Sequence, residues 1–256
     1  MTEPMVDNAR WIRRFRRTAT PTVRLVCFPH AGGSASFYFP MGTALPEPID
    51  VLSVQYPGRQ DRRTEPGIDD IGALAEQVYL AVRPETDLPI AFFGHSMGAA
   101  LAFEVAHRLA RRDGIVVARL FVSGRRAPSR HRHEQLHLAD DATVIDELRM
   151  LDGTDTTLLD DEEVRRMILP ALRGDYKAIE TYRCPPSRTV GSPITALVGA
   201  DDPKTTLDEA RDWARHTTAA FDIRVFPGGH FYLIDQRAAV LDSVARGLLG
   251  PTARLD

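Results

Sequence analysis

Short apolar runs alternate with longer amphipathic stretches along most of the 256-residue chain. The apolar runs, rich in Val, Ile, Leu and Phe, predict strands near Val23–Phe28, Val51–Gln55, Ile90–Phe93, Leu120–Ser123, Ile194–Val198 and Ile223–Phe226. The amphipathic stretches predict helices near Asp70–Val82, Met97–Arg111, Asp141–Leu151, Glu162–Tyr182, Leu207–His216 and Ile234–Leu249. Strands separated by helices are typical of βαβ units, and continuously apolar strands are typical of a sheet that is covered on both faces. The pattern therefore predicts an α/β fold with a mostly parallel sheet.

One interval departs from this alternation. About 70 residues separate Ser123 from Ile194 without a strand pattern, and they contain two helical stretches, of which we expect the longer one, Glu162–Tyr182, to break near Pro170. A crossover needs only one helix, so the surplus predicts an insertion of the kind that often forms a lid. We predict one domain over residues 1–256, with a lid insertion at about residues 128–186.

Composition narrows the class of protein. Hydrophobic residues are 43% and charged residues 26% of the chain, which are globular values and exclude a disordered chain. The net charge of −3 lacks the basic excess of a nucleic-acid-binding protein. No apolar run approaches the roughly 18 residues of a membrane span. Because Cys27 and Cys184 cannot form a disulfide framework, we predict a reduced, cytoplasmic chain.

The strongest local motif is Gly94-His95-Ser96-Met97-Gly98, which follows a predicted strand and opens a predicted helix. The pattern G-x-S-x-G is weak on its own. Between a strand and a helix, however, it is the pattern of a nucleophile elbow, in which small residues permit a tight turn that exposes the serine Oγ. We therefore predict that Ser96 is a nucleophile. The alternative is a glycine-rich turn whose serine is unreactive.

A serine nucleophile needs a base and an acid that orients the base. In α/β-hydrolases the acid and then the histidine follow the serine along the chain. Among the eight histidines, only His230 follows a late strand in a glycine-containing turn. Asp201 and Asp202 both follow the strand Ile194–Val198. We favour Asp202, which lies three residues after Gly199 and precedes a proline, and keep Asp201 as the alternative.

The developing oxyanion needs two hydrogen-bond donors. One is expected to be the backbone N–H of Met97, directly after the nucleophile. The second should come from the loop that follows the first long strand, where Gly32 and Gly33 permit close approach of the backbone. The N–H of Ala31 is our candidate.

Two other features suggest chemistry but carry less weight. His133-Glu134-Gln135-Leu136-His137 matches H-E-x-x-H, a zinc-binding pattern. A polar run precedes it and no apolar periodicity surrounds it, so we predict a solvated segment without a metal. Cys27 lies inside an apolar strand, where we expect it to be inert packing.

Four segments of the chain match a known family when they are taken together. They are Cys27–Ala35, Gln55–Arg59, Gly94–Ala99 and Pro227–Phe231, and the similarity runs from about Trp11 to Leu248. The chain thus resembles the type II thioesterases, the stand-alone editing hydrolases of polyketide and nonribosomal peptide assembly lines. The resemblance implies an α/β-hydrolase fold with helices on both faces and a helical lid. It also implies a triad of Ser96, Asp202 and His230, with Ala31 and Met97 in the oxyanion hole, and no metal or cofactor.

The same resemblance implies the partner. The substrate would be an acyl group on the phosphopantetheine arm of an acyl or peptidyl carrier protein, and we expect a monomer that binds neither nucleic acid nor membrane. Carrier proteins are usually acidic, so the arginines after the strand Leu120–Ser123 are candidates for contacting them. These are Arg125, Arg126, Arg130 and Arg132. A solvated loop is an equally good interpretation of this cluster.

Two other functions remain open at this stage. A small-molecule carboxylesterase or lipase of the same fold would share the triad and would differ in preferring oxoesters and in needing no carrier protein. A binding module with an unreactive elbow would have no need to keep serine, aspartate and histidine in this order.

Overall fold

The computed structural model describes residues 8–151 and 158–250 of the chain. Its strands are β1 (Ile12–Arg13), β2 (Val23–Phe28), β3 (Ile49–Val54), β4 (Ile90–His95), β5 (Leu120–Ser123), β6 (Ile194–Gly199) and β7 (Phe221–Phe226). They form a seven-stranded sheet in the order β1-β3-β2-β4-β5-β6-β7. Only β1 is antiparallel to its neighbour, so the predicted α/β fold with a mostly parallel sheet is confirmed.

The strand order reverses beside β2. From β2 the chain crosses to β3 on one side, and it then returns to β4 on the other side. The register pairs Phe28 at the end of β2 with Gly94 near the end of β4. The segments that follow these two strands therefore emerge side by side at the carboxyl edge. In parallel α/β sheets this reversal is where ligands bind.

Helices cover the sheet. The α-helices are α1 (Asn8–Trp11), α2 (Phe39–Ala44), α3 (Ile71–Val82), α4 (Met97–Asp113), α5 (Asp141–Leu151), α6 (Glu162–Thr181), α7 (Leu207–Arg211), α8 (Tyr232–Asp235) and α9 (Arg237–Leu249). Short 3-10 turns lie at Ala35–Tyr38, Gln60–Arg62, Arg83–Glu85, Leu136–Leu138, Leu158–Asp160 and Asp212–His216. Within the described residues, no helix is both long and apolar enough to cross a membrane.

The core has one layer on each face of the sheet. Val26 and Phe28 of β2 pack with α3 and α4, whereas Leu25 and Cys27, one residue out of step, pack on the other face with α9. Successive side chains of a strand point to opposite faces. Burial of both faces therefore explains why the strands read as continuous apolar runs. Cys27 is fully buried, as expected of a packing residue.

The insertion between β5 and β6 contains α5 and α6, and one prediction about it is wrong. We expected the second helix to break near Pro170, but α6 runs from Glu162 to Thr181 with Pro170 inside it. Proline removes one N–H, which would have bonded to the carbonyl of Arg166. Both residues are exposed, so water can satisfy that carbonyl. The assignment of residues 128–186 as a lid, and of residues 1–256 as one domain, stays a prediction.

Other boundaries shift by a few residues. β3 begins at Ile49 and β7 at Phe221, each two residues before the predicted start. The predicted helix Leu207–His216 is α-helical only to Arg211 and then tightens into a 3-10 turn. The predicted helix Ile234–Leu249 is divided into α8 and α9 at Gln236. Strand β1, which has two residues, had no recognisable pattern.

The contact between α4 and β2 requires glycine, which gives a stability test. A Cβ atom on Gly98 would lie 2.0 Å from the carbonyl oxygen of Phe28, a backbone atom that cannot move aside. We expect Gly98→Ala to lower the free energy of unfolding by about 3 kcal/mol, at the upper end of overpacking effects.

The matched control is Gly174→Ala in α6, where the nearest atom to the added Cβ is 3.8 Å away. This substitution should raise stability by about 0.5–1 kcal/mol, because alanine loses less backbone entropy in a helix. Urea unfolding of both variants measures the difference. Equal effects of the two substitutions would contradict the packing described for Gly98.

Candidate active site

Ser96 lies in a strained turn between β4 and α4. Its backbone angles are φ 54° and ψ −119°, a conformation that costs a non-glycine residue free energy. The Ser96 N–H donates to the carbonyl oxygen of Ser123 at 2.8 Å, which holds the turn against β5. A Cβ on Gly94 would lie 2.2 Å from the Gly98 carbonyl, so the turn can close only with glycine there. Ser96 remains partly exposed between buried neighbours.

His230 and Asp202 form a buried pair. Both carboxylate oxygens of Asp202 lie 3.0 Å from Nδ1 of His230, and the two residues are 7% and 3% exposed. A nitrogen beside a carboxylate donates its proton, so Nε2 is left as the acceptor. The backbone N–H of Lys204 also donates to Asp202, at 2.8 Å. Asp201, the alternative acid, is exposed to solvent.

Close backbone packing brings the acid and the histidine together. A Cβ on Gly199, the last residue of β6, would lie 2.2 Å from the carbonyl oxygen of Gly229. The N–H of Ala200 donates to Phe226, and that of Asp201 donates to Gly228, at 2.8 and 3.0 Å. The loops after β6 and β7 are thus joined along their backbones, which fixes the imidazole against the carboxylate.

Ser96 and His230 line the same cavity, whose volume is about 170 Å³. Its apolar wall comes from the insertion, through Leu148 and Leu151 of α5 and Ile168, Leu172, Tyr176 and Ile179 of α6. Ala31, Gly32 and Phe231 line it on the sheet side. A serine and an oriented imidazole therefore line one mostly apolar chamber.

Two more histidines adjoin the pair. The ring of His95 lies 5.0 Å from that of His230, and the ring of His30 lies 5.9 Å from that of His95. Burial and the neighbouring His230 lower the pKa of His30 to about 3, and the same two causes hold the pKa of His95 well below its usual range. Both rings are therefore uncharged at neutral pH and add no positive charge beside His230.

Of the two predicted oxyanion donors, Ala31 lines this cavity, and Met97 directly follows Ser96, which also lines it. Met97 is the first residue of α4, so its N–H has no partner within the helix. In the loop after β2, the Gly32 N–H donates to Asp175 and the Gly33 N–H to the carbonyl of His30, at 2.7 and 2.9 Å. No acceptor among the described residues takes the N–H of Ala31, which leaves that N–H available to a ligand.

Two other serine–histidine contacts resemble a nucleophile and its base. Ser123 Oγ lies 3.0 Å from Nδ1 of His95, but Ser123 is fully buried and its Oγ also contacts the Tyr232 hydroxyl. Ser129 Oγ lies 2.7 Å from Nε2 of His216, whose Nδ1 donates to a backbone carbonyl and not to a carboxylate. Neither pair lines the cavity that holds Ser96.

The residues of the H-E-x-x-H pattern, His133 to His137, are not arranged to bind zinc. They form coil and a 3-10 turn, so the two histidines do not share a helical face. Glu134 pairs with Arg126 and Lys204, and His137 Nδ1 pairs with Glu180. Across residues 8–151 and 158–250, no group of three His, Cys, Asp or Glu side chains is placed to hold a metal ion.

The four arginines after β5 differ in whether they form an ion pair. Arg126, Arg130 and Arg132 each pair with a carboxylate, of Glu134, Asp212 and Glu209 respectively. Arg125 has no carboxylate within ion-pair distance in the described part of the chain, and it lines the cavity. Burial and the neighbouring Arg126 lower the pKa of Arg125 to about 9.

Sequence reasoning missed one buried pair beside the site. Arg59 and Asp175 form a bidentate ion pair behind the loop after β2. The available signal was a carboxylate on the apolar face of a helix, since Asp175 shares that face with Leu172 and Tyr176.

An α/β-hydrolase sheet, a serine in a strained strand–helix turn and a buried Asp–His pair are together typical of serine hydrolases. Comparison with known proteins identifies the family. Residues 23–248 match the thioesterase domain family. The chain belongs to this family, among the type II thioesterases of polyketide and nonribosomal peptide pathways, and it is an enzyme.

Individual relatives agree with this assignment. "Thioesterase PikA5" of Streptomyces venezuelae is 48% identical over 98% of this chain and 91% of its own length. The "probable cadicidin biosynthesis thioesterase" of Streptomyces griseus is 51% identical over 94% of this chain, which spans 66% of that protein. Among solved structures, the type II thioesterase BorB from the borrelidin biosynthetic cluster is 50% identical, with a TM-score of 0.87 over 93% of this chain and 97% of its own.

The choice between the two aspartates can be tested directly. We expect Asp202→Asn to lower kcat by about ten-thousandfold, because the amide cannot hold the imidazole in the tautomer that accepts a proton. Asp201→Asn, the matched control at an exposed neighbour, should retain kcat within about twofold, in line with the small effects of most surface substitutions. Thioester hydrolysis by both variants is the measurement. If kcat fell further in Asp201→Asn than in Asp202→Asn, the acid of the triad would be Asp201 instead.

Proposed function

We propose that this thioesterase hydrolyses acyl thioesters on the phosphopantetheine arms of acyl or peptidyl carrier proteins, with Ser96, Asp202 and His230 as its triad. Such a reaction would clear stalled or aberrant acyl groups from an assembly line. The observation that carries the proposal is the shared cavity, which is lined both by Ser96 and by His230, an imidazole whose Nδ1 lies 3.0 Å from both carboxylate oxygens of Asp202.

The reaction has two acyl-transfer steps. His230 Nε2 takes the proton of Ser96 as Oγ attacks the thioester carbonyl, and Asp202 stabilises the resulting imidazolium. The N–H groups of Ala31 and Met97 bind the oxyanion. The carbon–sulfur bond then breaks, and His230 returns the proton to the phosphopantetheine thiolate. A water molecule, deprotonated by His230, attacks the acyl-enzyme in the same way, so that the carboxylic acid leaves and Ser96 is restored.

The chamber favours small acyl groups. A cavity of roughly 150 Å³ lined by apolar side chains accommodates benzene, so a chamber of about 170 Å³ holds an acyl group of about six carbons. Its wall comes mostly from α5 and α6, which supports our inference that the segment at residues 128–186 acts as a lid. A thioesterase that edits an assembly line meets short, mis-primed acyl groups, and this capacity suits them.

The partner is inferred from the same chemistry. A phosphopantetheine arm is long enough to carry its acyl group into the interior of a protein. Such an arm suits a chamber that is covered by α6. We further infer a cytoplasmic monomer. The two cysteines, both free and buried, are consistent with a reducing compartment.

The function is tested by offering one acyl group on two leaving groups. We expect the enzyme to hydrolyse propionyl-phosphopantetheinyl carrier protein, and to do so with a higher kcat/KM than p-nitrophenyl propionate. Ser96→Ala should lose both activities, because it removes the attacking oxygen. Cleavage of the p-nitrophenyl ester with the carrier thioester untouched would instead indicate a small-molecule carboxylesterase. Inactivity on both substrates would indicate an unreactive elbow.

Chain length tests the chamber. On carrier thioesters from acetyl to dodecanoyl, kcat/KM should be highest for short chains and at least about tenfold lower for dodecanoyl, because a poorly seated methylene alone costs about 1–3 kcal/mol. Leu148→Ala, which enlarges the cavity wall, should shift the optimum to longer chains. Met150→Ala, an exposed position on the same helix, is the control and should not shift it. An unchanged optimum in Leu148→Ala would remove α5 from the acyl site.

A further inference from the structure

The loop that carries the predicted oxyanion donor Ala31 is held by groups from two other segments. We call residues 29–33 the oxyanion loop. The Tyr56 hydroxyl donates to the carbonyl of Pro29 at 3.1 Å, and Arg59 Nη1 donates to the carbonyl of Gly33 at 3.1 Å. Both donors follow β3. The third anchor is Asp175 of α6, whose Oδ2 accepts the Gly32 N–H at 2.7 Å.

Asp175 and Arg59 also bind each other. Arg59 Nη1 and Nη2 donate to Oδ2 and Oδ1 of Asp175 at 2.6 and 2.9 Å, a bidentate pair. The exposed fractions are 8% for Arg59 and 2% for Asp175. A buried bidentate pair of this kind has a defined geometry, because each of the two guanidinium nitrogens donates to a different carboxylate oxygen. One carboxylate therefore fixes Gly32 directly and Gly33 through the guanidinium.

Apolar packing acts on the same residue of the loop. Gly32 has φ +75°, and a Cβ there would lie 2.9 Å from Cδ1 of Leu172, one turn before Asp175 on α6. The helix thus contacts the Gly32 backbone both through a hydrogen bond and through a close apolar contact. Ala31 immediately precedes this point, so the position of its N–H depends on α6.

We propose that Asp175 is a positioning residue for the oxyanion hole, acting on the Ala31 N–H through the hydrogen bond to Gly32 and through Arg59. The inference rests on the proposed function, since it requires Ala31 to bind the oxyanion. It assigns the side chain of Asp175, together with the face of α6 that carries Leu172, to the frame that supports the oxyanion loop.

The main test is Asp175→Asn, which keeps the shape of the side chain but loses its charge. The asparagine amide has one oxygen that accepts hydrogen bonds and one nitrogen that only donates them. It therefore cannot accept hydrogen bonds from Gly32 and from both guanidinium nitrogens of Arg59 together. We expect kcat to fall by about 10-fold to 100-fold with KM within about twofold, since a displacement of about 1 Å in a catalytic group costs as much as 100-fold. Arg59→Lys retains the positive charge but loses the two-nitrogen guanidinium, so it should also lower kcat with little change in KM.

The control is Lys177→Met. It breaks the exposed ion pair between Lys177 of the same helix and Asp69, and it should leave kcat unchanged. Rates are expressed per active site, with fluorophosphonate titration counting the folded enzyme, so that partial unfolding of a variant does not imitate a loss of kcat.

A second readout separates positioning from a purely structural role. Propylboronic acid forms a tetrahedral adduct with the serine, in which one oxygen occupies the oxyanion site. Its Kd should rise in Asp175→Asn by about the factor by which kcat/KM falls. Wild-type kcat in correctly titrated Asp175→Asn, or a change confined to KM, would overturn the proposal. If wild-type enzyme did not hydrolyse the carrier thioester at all, the proposed function would be the part that failed.

Discussion

The close approach of α4 to the end of β2 determines the geometry of the whole site. Gly98 allows the first turn of the helix to lie against the carbonyl of Phe28, and any side chain there would collide with that backbone oxygen. This contact places the Met97 N–H beside the loop after β2. It also makes Ser96 take the strained turn, since β4 must pass directly into a helix that is packed so closely. The positions of the predicted nucleophile and of both predicted oxyanion donors thus depend on one backbone contact.

The electrostatics of the site follow a consistent rule. Charges that adjoin the cavity are paired, as in Asp202 with His230, Glu134 with Arg126 and Asp175 with Arg59, while the unpaired imidazoles of His30 and His95 are kept neutral by burial. A buried charge without a partner is costly, and neutralisation is the alternative to pairing. Arg125 is the exception, as a cationic group facing the chamber. Its lowered pKa is the result expected of a partly buried cation that lies next to Arg126 and has no carboxylate within ion-pair distance among the described residues.

The fold class and the local turns can be predicted from the sequence, because they depend on residues that are neighbours along the chain. Ser96 is recognisable since its glycines, strand and helix are contiguous. Asp202 could be preferred over Asp201 because position in a tight loop decides which side chain turns inward. The Arg59–Asp175 pair joins residues 116 positions apart, so no local pattern reveals it. The expected break at Pro170 was wrong because the cost of a missing N–H depends on solvent access, and solvent access is a tertiary property. The volume of the cavity likewise results from packing between α5, α6 and the sheet.

The central claim is that Ser96 forms the covalent acyl-enzyme, and active-site labelling tests it most directly. The protein is treated with a fluorophosphonate, the modified residue is located by peptide mass spectrometry, and the remaining thioesterase activity is followed at each degree of labelling. We expect one label per chain, on Ser96, with activity falling in proportion to the labelled fraction. Labelling at Ser123 or Ser129, or full labelling of Ser96 with activity retained, would contradict this account.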